Sequence, residues 1–343
     1  GKGNKTYIIA ELSANHNQNY DNAIKLIDAA HYAGADAIKL QTYRADTITI
    51  DCDKEDFQIS DGLWKGQTLY ELYKDAHMPW DWHKPLFEHA RKIDITIFSS
   101  PFDESAVDLL EDLNAPAYKI ASFETVDLRL IDYVARTGKP MIISTGMASE
   151  DEIREAVDTA RAGGCSELAL LTCVSSYPAM PSDYNLSRIV DMRERFQTVV
   201  GLSDHTLDNT CAIASIALGG CIIEKHFTLD RKGGGADDSF SLEPNDMRNL
   251  CESSLAAWQS IGLPEYGTKT TEKSNAQYRR SLYFIKSLKK GDVIKIDDIR
   301  SVRPGFGLPT KMFDSVVGSE VNCNVSYGDP VKLADIIMKS DID

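Results

Sequence analysis

Residues 199–226 read VVGLSDHTLDNTCAIASIALGGCIIEKH, and this stretch contains the local pattern that decides the fold. Two short apolar runs, 199–202 and 221–223, flank a segment in which apolar residues recur at helical spacing. A glycine pair closes that segment, as is common where a helix ends. The order strand, helix, strand predicts a parallel βαβ unit. Each apolar run is followed by polar residues that include a histidine, His205 in the first case and His226 in the second.

The same alternation recurs from the start of the sequence to about residue 260. We predict strands there at residues 7–10, 37–40, 96–98, 117–120, 141–143, 168–171, 199–202 and 221–223. Eight such units in a segment of this length predict an α/β fold, the (β/α)8 TIM barrel. A doubly wound sheet is the main alternative, but no GxGxxG motif follows the first strand, and this weakens a dinucleotide-binding interpretation.

Two segments fall outside the barrel pattern. Residues 43–80 form a long, aromatic-rich insertion, which either shapes a pocket at the top of the barrel or packs as a surface excursion. From residue 281, short alternating runs and two Gly-Asp turns predict a small β-rich domain. We therefore expect a barrel at 1–265, a linker at 266–280 and the small domain at 281–343. So short a domain is marginally stable alone and should pack against a barrel, its own or a partner's.

Composition disfavours several partners. The net charge is −15 and the pI is near 4.9, so nucleic acid and anionic membranes are poor partners for the surface as a whole. Seven scattered cysteines without a CxxC motif predict reduced thiols and a cytoplasmic protein. No apolar run approaches the length of a membrane span, and the first residues show no signal-peptide pattern.

Polar residues follow all of the predicted barrel strands. Because the carboxyl ends of parallel barrel strands meet at one end of the barrel, these side chains are predicted to share one site. The alternative is that the pattern reflects only the usual polarity of strand termini. The residues are Glu11, Lys39, Gln41, Ser99, Ser100, Lys119, Ser122, Glu124, Ser144, Thr145, Ser175, Ser176, Tyr177, Ser203, Asp204, His205, Glu224, Lys225 and His226.

Two lysines lie inside otherwise apolar strand patterns, Lys39 in AIKLQ and Lys119 in AYKIA. A buried ammonium group is costly unless an anion meets it, so this pair predicts a cradle for phosphate or carboxylate. The alternative is structural, with each lysine paired to a glutamate such as Glu11 or Glu124. Hydroxyl donors for the cradle would be Ser122, Ser144 and Ser203.

His205 and His226 are predicted to end neighbouring strands, which lie about 4.8 Å apart, so that both imidazoles can reach one ion. Two histidine ligands leave coordination positions open, as in a catalytic metal site. The oxygen-rich surroundings favour a fairly hard ion such as Mn²⁺ or Mg²⁺. The alternative is that either histidine acts as a general acid or base.

Several strings together resemble the sialic acid synthase family, whose members condense phosphoenolpyruvate with an N-acetylated amino sugar. The strings are IIAELSANHNQ, DAIKLQTY, FSSPFD, PAYKIASFE, ISTGMAS, GLSDHT and EKHFTLD. Further on, RRSLYFIKSLKKGDVI and VRPGFG resemble the antifreeze-like (SAF) domain of that family. The resemblance covers nearly the whole chain. It implies a (β/α)8 barrel, a divalent metal (Mn²⁺ first, Mg²⁺ or Co²⁺ as alternatives) and a domain-swapped homodimer in which the SAF domain of one chain caps the partner's barrel.

The resemblance also implies roles for individual residues. It assigns metal binding to His205 and His226, and catalysis to Glu11, Glu124 and Glu224. It assigns substrate binding to Lys39, Gln41, Ser100, Lys119, Ser122, Ser144, Ser175, Tyr177, Ser203, Asp237 and Arg303.

Two of these positions depend on loops. The glycine-rich stretch RKGGGADD is expected to form a flexible loop over the mouth of the site and to bring Asp237 to the sugar. The sequence leaves open whether the neighbouring Asp238 faces the site instead. Arg303, in SVRPGFG, matches the arginine that the family offers to the partner's active site, so the resemblance implies a site completed in trans.

Two departures from the usual family pattern bear on the sugar. Sialic acid synthases typically read TNxYP where this chain has VSSYP, so that Ser175 replaces an Asn, and they typically have Gly where this chain has Phe123. Both departures and the insertion resemble the pseudaminic acid synthase branch, whose acceptor is a 6-deoxy sugar, 2,4-diacetamido-2,4,6-trideoxy-L-altrose. The alternatives are an N-acetylneuraminate or legionaminate synthase, a metal aldolase that uses pyruvate, and a binding module without turnover.

Overall fold

The computed structural model describes residues 3–62 and 64–339. The chain divides into two compact units, Gly1–Gly262 and Leu263–Asp343, close to the predicted end of the barrel. In the first unit, eight parallel strands close into a barrel in chain order, which confirms the predicted α/β fold. The strands are β1 Tyr7–Glu11, β2 Ala37–Thr42, β3 Thr96–Pro101, β4 Tyr118–Ile120, β5 Met141–Ser144, β6 Leu168–Cys173, β7 Val199–Asp204 and β8 Ile222–His226.

Helices surround the barrel, and their ends coincide with local sequence signals. Gly34 adopts the left-handed conformation (φ 94°) at the end of the first helix, and its N–H bonds the carbonyls of the last turn. Ser149 and Glu152 form a reciprocal capping box at the start of another. The helices of this unit are α1 Tyr20–Ala33, α2 Ala45–Ile48, α3 Leu69–Ala76, α4 Trp80–Lys92, α5 Glu104–Asp112, α6 Leu128–Ala135, α7 Glu150–Ala162, α8 Arg188–Phe196, α9 Thr210–Ala217 and α10 Pro244–Ile261.

The interior of the barrel has an apolar level and a polar level. The apolar level is a cluster of side chains near the amino ends of the strands: Ile9, Ala37, Phe98, Ile142, Ala169 and Leu171. Successive strand residues point to opposite faces, so residues two positions further on share the same inner face. There the sequence has polar and charged residues and one thiol: Glu11, Lys39, Ser100, Ser144 and Cys173. On the inner face of each of these strands, the polar level therefore lies two residues beyond the apolar level.

The outer faces of the strands pack against the helices, and three of the predicted strand-end residues lie there. Asp204 and Lys225 form a buried ion pair at 2.9 Å, and the Lys225 ammonium also donates to the carbonyl of Asp208 at 2.7 Å. The Ser99 hydroxyl lies 2.6 Å from that of Thr42. The prediction that all polar strand-end residues share one site was therefore wrong for Asp204, Lys225 and Ser99, because strand alternation turns them outward.

The insertion between β2 and β3 is an ordered element at the carboxyl end of the barrel. It contains α2, a 3₁₀ turn at Glu55–Phe57 and α3. Thr68 caps α3 through its hydroxyl and Glu71 returns the contact, and the backbone of Thr68 bridges that of Gln58. The indole of Trp80 donates to the carbonyl of Tyr43 at 3.1 Å and so links the end of the insertion to its start.

The second unit is β-rich and has its own small core. Two antiparallel pairs, β9 Ser281–Phe284 with β10 Ile299–Val302 and β11 Glu320–Val321 with β12 Ile336–Ile337, are accompanied by α11 Phe313–Val316. The turn glycines Gly291 and Gly328 have φ values of 91° and 88°, a conformation that explains the two Gly-Asp turns in the sequence. The segment predicted as a linker contains an exposed 3₁₀ helix, Thr270–Tyr278. The core is Leu282, Phe284, Ile294, Ile299, Val316, Val321, Val325, Val331 and Ile336.

Candidate active site

A cavity of about 460 Å³ opens at the carboxyl ends of the barrel strands. Its floor is the polar level of the barrel interior, and one side is formed by the insertion. Most of the residues predicted for the site line this cavity, as the alternation of strand residues requires. They are Lys39, Gln41, Lys119, Ser122, Glu124, Ser144, Ser175, Tyr177, Ser203, His205, Glu224, His226 and Asp237.

Thr145 and Ser176, also predicted for the shared site, do not line the cavity, because their hydroxyls donate to the carbonyls of Leu171 at 3.3 Å and Pro178 at 3.2 Å. Three residues with a predicted site role lie elsewhere too. Glu11 and Ser100 belong to the polar level but do not line the cavity; both are buried against Lys39, whose ammonium lies 2.6 Å from Glu11 Oε2 and 3.3 Å from Ser100 Oγ. They therefore act on the cavity through Lys39. Arg303 belongs to the second unit, where its exposed side chain follows the end of β10 and precedes Pro304.

Four buried charges alternate in sign across the floor. Beyond its contact with Glu11, the Lys39 ammonium lies 3.7 Å from Glu224 Oε1, and the Lys119 ammonium lies 3.4 Å from the same oxygen. The Ser203 hydroxyl donates to that oxygen at 3.2 Å. The alternative that each buried lysine is paired with a glutamate therefore holds for Lys39, which forms a close ion pair with Glu11. Its side chain nevertheless also lines the cavity.

The two lysines differ in how well the protein compensates their charge. Burial lowers the pKa of Lys39, but the carboxylates of Glu11 and Glu224 outweigh burial and the pKa lies above its usual value. Burial likewise lowers the pKa of Lys119, and here Glu224 does not outweigh it. Lys119 therefore has unmet capacity for an anion, which a substrate phosphate or carboxylate would fill.

His205 and His226 end neighbouring strands, with ring centroids 5.3 Å apart. His205 Nδ1 lies 2.7 Å from the carbonyl of Val174 and therefore carries the proton, which leaves the lone pair of Nε2 free. Burial lowers the pKa of His205 to about 4 and that of His226 well below its usual value, so both rings are neutral. Neutral imidazoles with free lone pairs are the form that binds metal ions.

These two imidazoles are fewer than a full set of metal ligands. Within residues 3–62 and 64–339, no three His, Cys, Asp or Glu side chains are arranged to hold an ion. The buried Nδ1 of His226 has no hydrogen-bond partner in the described part of the chain and lies 3.7 Å from Asp237 Oδ2. The pair therefore fits an ion whose remaining positions are open to water or substrate.

The loop after β6 holds His205 through contacts that the sequence does not reveal. The main-chain N–H of His205 donates to the Tyr184 hydroxyl at 2.6 Å, and the N–H of Ala179 donates to the His205 carbonyl at 3.0 Å. The Tyr177 ring lies 4.4 Å from the imidazole, centroid to centroid. Main chain and ring are thus both oriented by one loop, as is common around metal-binding histidines.

Asp237, rather than Asp238, faces the cavity. The Asp237 carboxylate accepts a hydrogen bond from the Ser13 hydroxyl. The Asp238 carboxylate is buried within the glycine-rich loop, where it accepts from the N–H of Gly235 at 2.6 Å and from the Thr228 hydroxyl. Asp238 therefore shapes the loop that presents Asp237, and these contacts hold a loop that the sequence predicted to be flexible.

The upper wall of the cavity is largely apolar and aromatic, in contrast to its charged floor. The insertion supplies most of this wall, which confirms the interpretation that it shapes the pocket. Phe123, which follows β4, is 58% exposed and extends the wall. The individual contributors were not predicted from sequence; they are Tyr43, Ile48, Ile59, Trp64, Leu69, Leu72, Tyr73 and Phe102.

Serine hydroxyls lie between the charged floor and the apolar wall. The hydroxyls of Ser122 and Ser175 are 2.9 Å apart, and a Cβ at Gly146 would lie 2.5 Å from the Ser122 Cβ and 2.8 Å from the Ser175 Oγ. Glycine at 146 is therefore what permits the loops after β4, β5 and β6 to meet. The buried hydroxyl of Ser144 has no protein partner among the described residues. These serines supply oriented hydrogen-bonding groups to a bound ligand.

A closed parallel barrel with buried lysines, glutamates and neutral histidines around one cavity defines an enzyme site for a small charged substrate. The NeuB family model matches residues 26–266 and the SAF domain model matches residues 279–337. The chain belongs to the NeuB family, as the strand-end strings indicated. It is therefore an enzyme of the nonulosonic acid synthases, a class of condensing enzymes.

Individual relatives are similar over nearly the whole chain. The pseudaminic acid synthase of Helicobacter pylori is 41% identical over 331 residues, which cover 96% of this chain and 97% of that protein. The N,N'-diacetyllegionaminic acid synthase of Legionella pneumophila is 35% identical over 334 residues, which cover 96% and 94%. The crystal structure of the N-acetylneuraminic acid synthetase of Leptospira borgpetersenii, in complex with citrate, is 31% identical, with a TM-score of 0.70 over 79% of this chain and 90% of that one.

Glu124 generates a prediction for stability. Burial raises its pKa from the ordinary value of 4.5 to about 7, and Oε2 is buried without a partner among the described residues. The folded protein thus binds this proton more tightly than the unfolded chain, a contribution to stability that is complete below pH 4.5 and lost as pH rises through about 7. The Glu124→Gln variant lacks this titrating group. When the pH is raised from about 5 to about 8, its free energy of unfolding should therefore rise by about 2–3 kcal/mol relative to that of wild type.

Urea denaturation at the two pH values, without added metal or substrate, measures this difference. Glu155→Gln, on the exposed side of α7, controls for the removal of one charge. An unfolding free energy for Glu124→Gln that runs parallel to wild type across this pH range would contradict the predicted shift.

Proposed function

We propose that this enzyme is a pseudaminic acid synthase, which condenses phosphoenolpyruvate with 2,4-diacetamido-2,4,6-trideoxy-L-altrose to give pseudaminic acid and phosphate. The observation that carries the proposal is the division of one cavity into a charged floor and an apolar wall. The floor suits a small, multiply charged anion, and the wall suits a sugar that carries methyl groups. The likeness to the pseudaminic acid synthases supports this choice of acceptor.

Phosphoenolpyruvate is proposed to lie on the floor. Its anionic groups would compensate the charge of Lys119, because the protein's own carboxylates do not fully offset the cost of burying that charge. Lys39 is already paired with Glu11, so it would bind as the second, oriented cation. The hydroxyls of Ser122, Ser144 and Ser203 line the same cavity and would donate to phosphate or carboxylate oxygens, that of Ser203 by turning away from Glu224.

The acceptor sugar is proposed to lie against the apolar wall. Phe123 and Trp64 present ring surface there, and the short side chain of Ser175 is engaged with Ser122. A hydroxyl group placed against the Phe123 ring would lose its water without gaining a partner, whereas a methyl group would gain contact. A 6-deoxy sugar with acetylated nitrogens therefore fits better than a fully hydroxylated one such as N-acetylmannosamine.

A divalent metal, with Mn²⁺ first and Mg²⁺ or Co²⁺ as alternatives, is proposed to be held by His205 and His226. The free lone pair of His205 Nε2 and the unpartnered Nδ1 of His226 fit this role. When bound, such an ion supplies Lewis acidity toward the sugar aldehyde. Asp237, beside His226, is placed to bind the hydroxyls of the same sugar.

In the proposed reaction, C3 of phosphoenolpyruvate forms a bond to the aldehyde carbon, and the aldehyde oxygen takes a proton. Water adds at C2 and gives up one proton; the C2–O bond to phosphate then breaks, phosphate leaves with the electron pair, and the C2 hydroxyl loses its proton to become the keto group. The pKa of Glu224 lies below its usual value because Lys119 and Lys39 outweigh its burial, so this group stays ionised. Its negative charge stabilises the positive charge that develops at C2. Glu124, with a pKa of about 7, can accept the proton of the incoming water.

The substrate is tested by measuring phosphate release from phosphoenolpyruvate with Mn²⁺ and each of three acceptors. These are the diacetamido-trideoxy-altrose, N-acetylmannosamine and the legionaminic acid precursor. We expect the altrose to give the highest kcat/KM, about tenfold or more above that of N-acetylmannosamine, because contact of one methyl group with an apolar wall gives discrimination of about this size. A chelator should abolish the release, and added Mn²⁺ should restore it.

Equal or higher kcat/KM with one of the other acceptors would transfer the proposal to that sugar. No release with any acceptor would contradict the synthase assignment for this chain. Consumption of pyruvate instead of phosphoenolpyruvate would favour an aldolase.

We also propose a domain-swapped homodimer in which Arg303 completes the partner's cavity. The described residues that line the cavity include no arginine, although its proposed substrate is multiply charged. Arg303 is an exposed guanidinium in the second unit and is suited to bidentate contact with phosphate or carboxylate.

A hybrid dimer of an Arg303→Ala chain and a Lys119→Ala chain tests the exchange. Each homodimer should be nearly inactive, because each lacks a group that contacts substrate. The hybrid, purified through two different tags, should regain about half of the wild-type activity, since one of its two sites is intact if Arg303 acts in trans. A hybrid as inactive as either homodimer would exclude the exchange.

A further inference from the structure

Ser13 lies at a junction between three parts of the site. It is 5% exposed and follows β1 in the loop of residues 12–19. Its main-chain N–H donates to Glu11 Oε1 at 3.1 Å, and its hydroxyl accepts from Gln41 Nε2 at 3.1 Å. The same hydroxyl donates to the carboxylate of Asp237, which is 224 positions away in the sequence.

We propose that Ser13 is a positioning residue for the acceptor sugar: its hydroxyl holds the Asp237 carboxylate in the orientation in which that group binds the sugar. This inference rests on the proposed function, which places Asp237 at the sugar. It concerns a residue that the sequence did not single out.

Donor and acceptor roles give this contact one direction. Gln41 Nε2 carries two hydrogens, and these are donated to Glu11 Oε1 at 3.0 Å and to Ser13 Oγ. The Ser13 hydroxyl, which accepts from the amide, has one hydrogen of its own. That hydrogen is donated to Asp237, which as a carboxylate can only accept. The positions of Glu11 and Gln41 on the barrel floor therefore fix the direction of the Ser13 hydroxyl, and this hydroxyl orients the Asp237 carboxylate on the glycine-rich loop.

The main chain of Asp237 is held separately from its side chain. The Ser241 hydroxyl donates to the Asp237 carbonyl at 2.7 Å, and it accepts from Asn15 Nδ2 at 2.9 Å. The neighbouring imidazole of His226 lies 3.7 Å from the carboxylate, beyond hydrogen-bond distance. The Asp237 carboxylate also has a backbone contact from Ala14, so loss of the Ser13 hydroxyl should loosen this side chain without releasing the main chain of Asp237.

The backbone of Ser13 permits a clean test. Its φ is 43°, in the left-handed region where glycine is favoured over other residues. Ser13→Gly removes the hydroxyl and relieves the conformation in the same step, so the variant should fold at least as well as wild type. A loss of activity could not then be attributed to a weakened fold.

Asn17 offers a matched control in the same loop. Its φ is 52°, and its side chain donates to the Gly233 carbonyl, in the same glycine-rich loop, at 3.3 Å. Asn17 is exposed and does not line the cavity described above. Asn17→Gly therefore makes the equivalent backbone change and also removes one contact to that loop, but it leaves the Asp237 carboxylate in place.

Steady-state kinetics with the diacetamido-trideoxy-altrose and phosphoenolpyruvate test the inference. Ser13→Gly should raise the KM for the sugar by about tenfold to a hundredfold, the effect of losing one hydrogen bond to a charged group. Its KM for phosphoenolpyruvate and its Tm should stay at the wild-type values. Asn17→Gly should leave both KM values within about twofold of wild type, because its lost contact lies outside the cavity.

An unchanged KM for the sugar in Ser13→Gly would overturn the inference, as would equal rises in both KM values. If wild type has no turnover with any acceptor, the proposed function fails. The position of the Asp237 carboxylate in crystal structures of wild type and the two variants then tests the role of Ser13. Displacement of the Asp237 carboxylate in Ser13→Gly, but not in Asn17→Gly, would support the positioning role. An unmoved carboxylate would overturn it.

Discussion

The buried charges of Glu11, Lys39, Lys119 and Glu224 are the interaction on which the rest of the site depends. Taking four charges out of water is costly, and the cost is limited only where opposite charges alternate at close range. The barrel provides such a place, because its strands bring inner-facing residues from distant parts of the chain to one level. For Lys119 the nearby carboxylate does not fully offset the cost of burying the charge, so the floor can still bind an anion.

The histidines and the glycine-rich loop are arranged around that floor. His205 and His226 lie two residues beyond Ser203 and Glu224 on the same inner faces, so strand geometry alone stacks the neutral histidines above the charged level. Hydrogen bonds then refine the arrangement: the loop after β6 orients His205, and Ser13 links Glu11 to Asp237. The catalytic end of the molecule is thus an extension of the barrel core.

Sequence reasoning predicted the barrel and most of the cavity residues because both follow from local periodicity, which a sequence displays directly. It placed Asp204 and Lys225 at the wrong face, since it counted polar residues without following the phase of each strand. It could not choose between Asp237 and Asp238, because the choice depends on contacts with Thr228, 10 positions before Asp238, and with Ser13, far away in the sequence. Tyr184 and Ser13 were missed for the same reason: each acts through tertiary hydrogen bonds that leave no motif.

The central claim is that the incompletely compensated charge of Lys119 binds phosphoenolpyruvate. Calorimetric titration of phosphoenolpyruvate into wild type and Lys119→Met tests it without any acceptor sugar. Lys119→Met leaves Glu224 with Lys39 as its cation, so a melting curve first establishes that the variant is folded at the titration temperature. Its Kd for phosphoenolpyruvate should rise by about a hundredfold, as expected when one partner of a buried charge pair is removed. A Kd that stays within about twofold of the wild-type value would contradict the account.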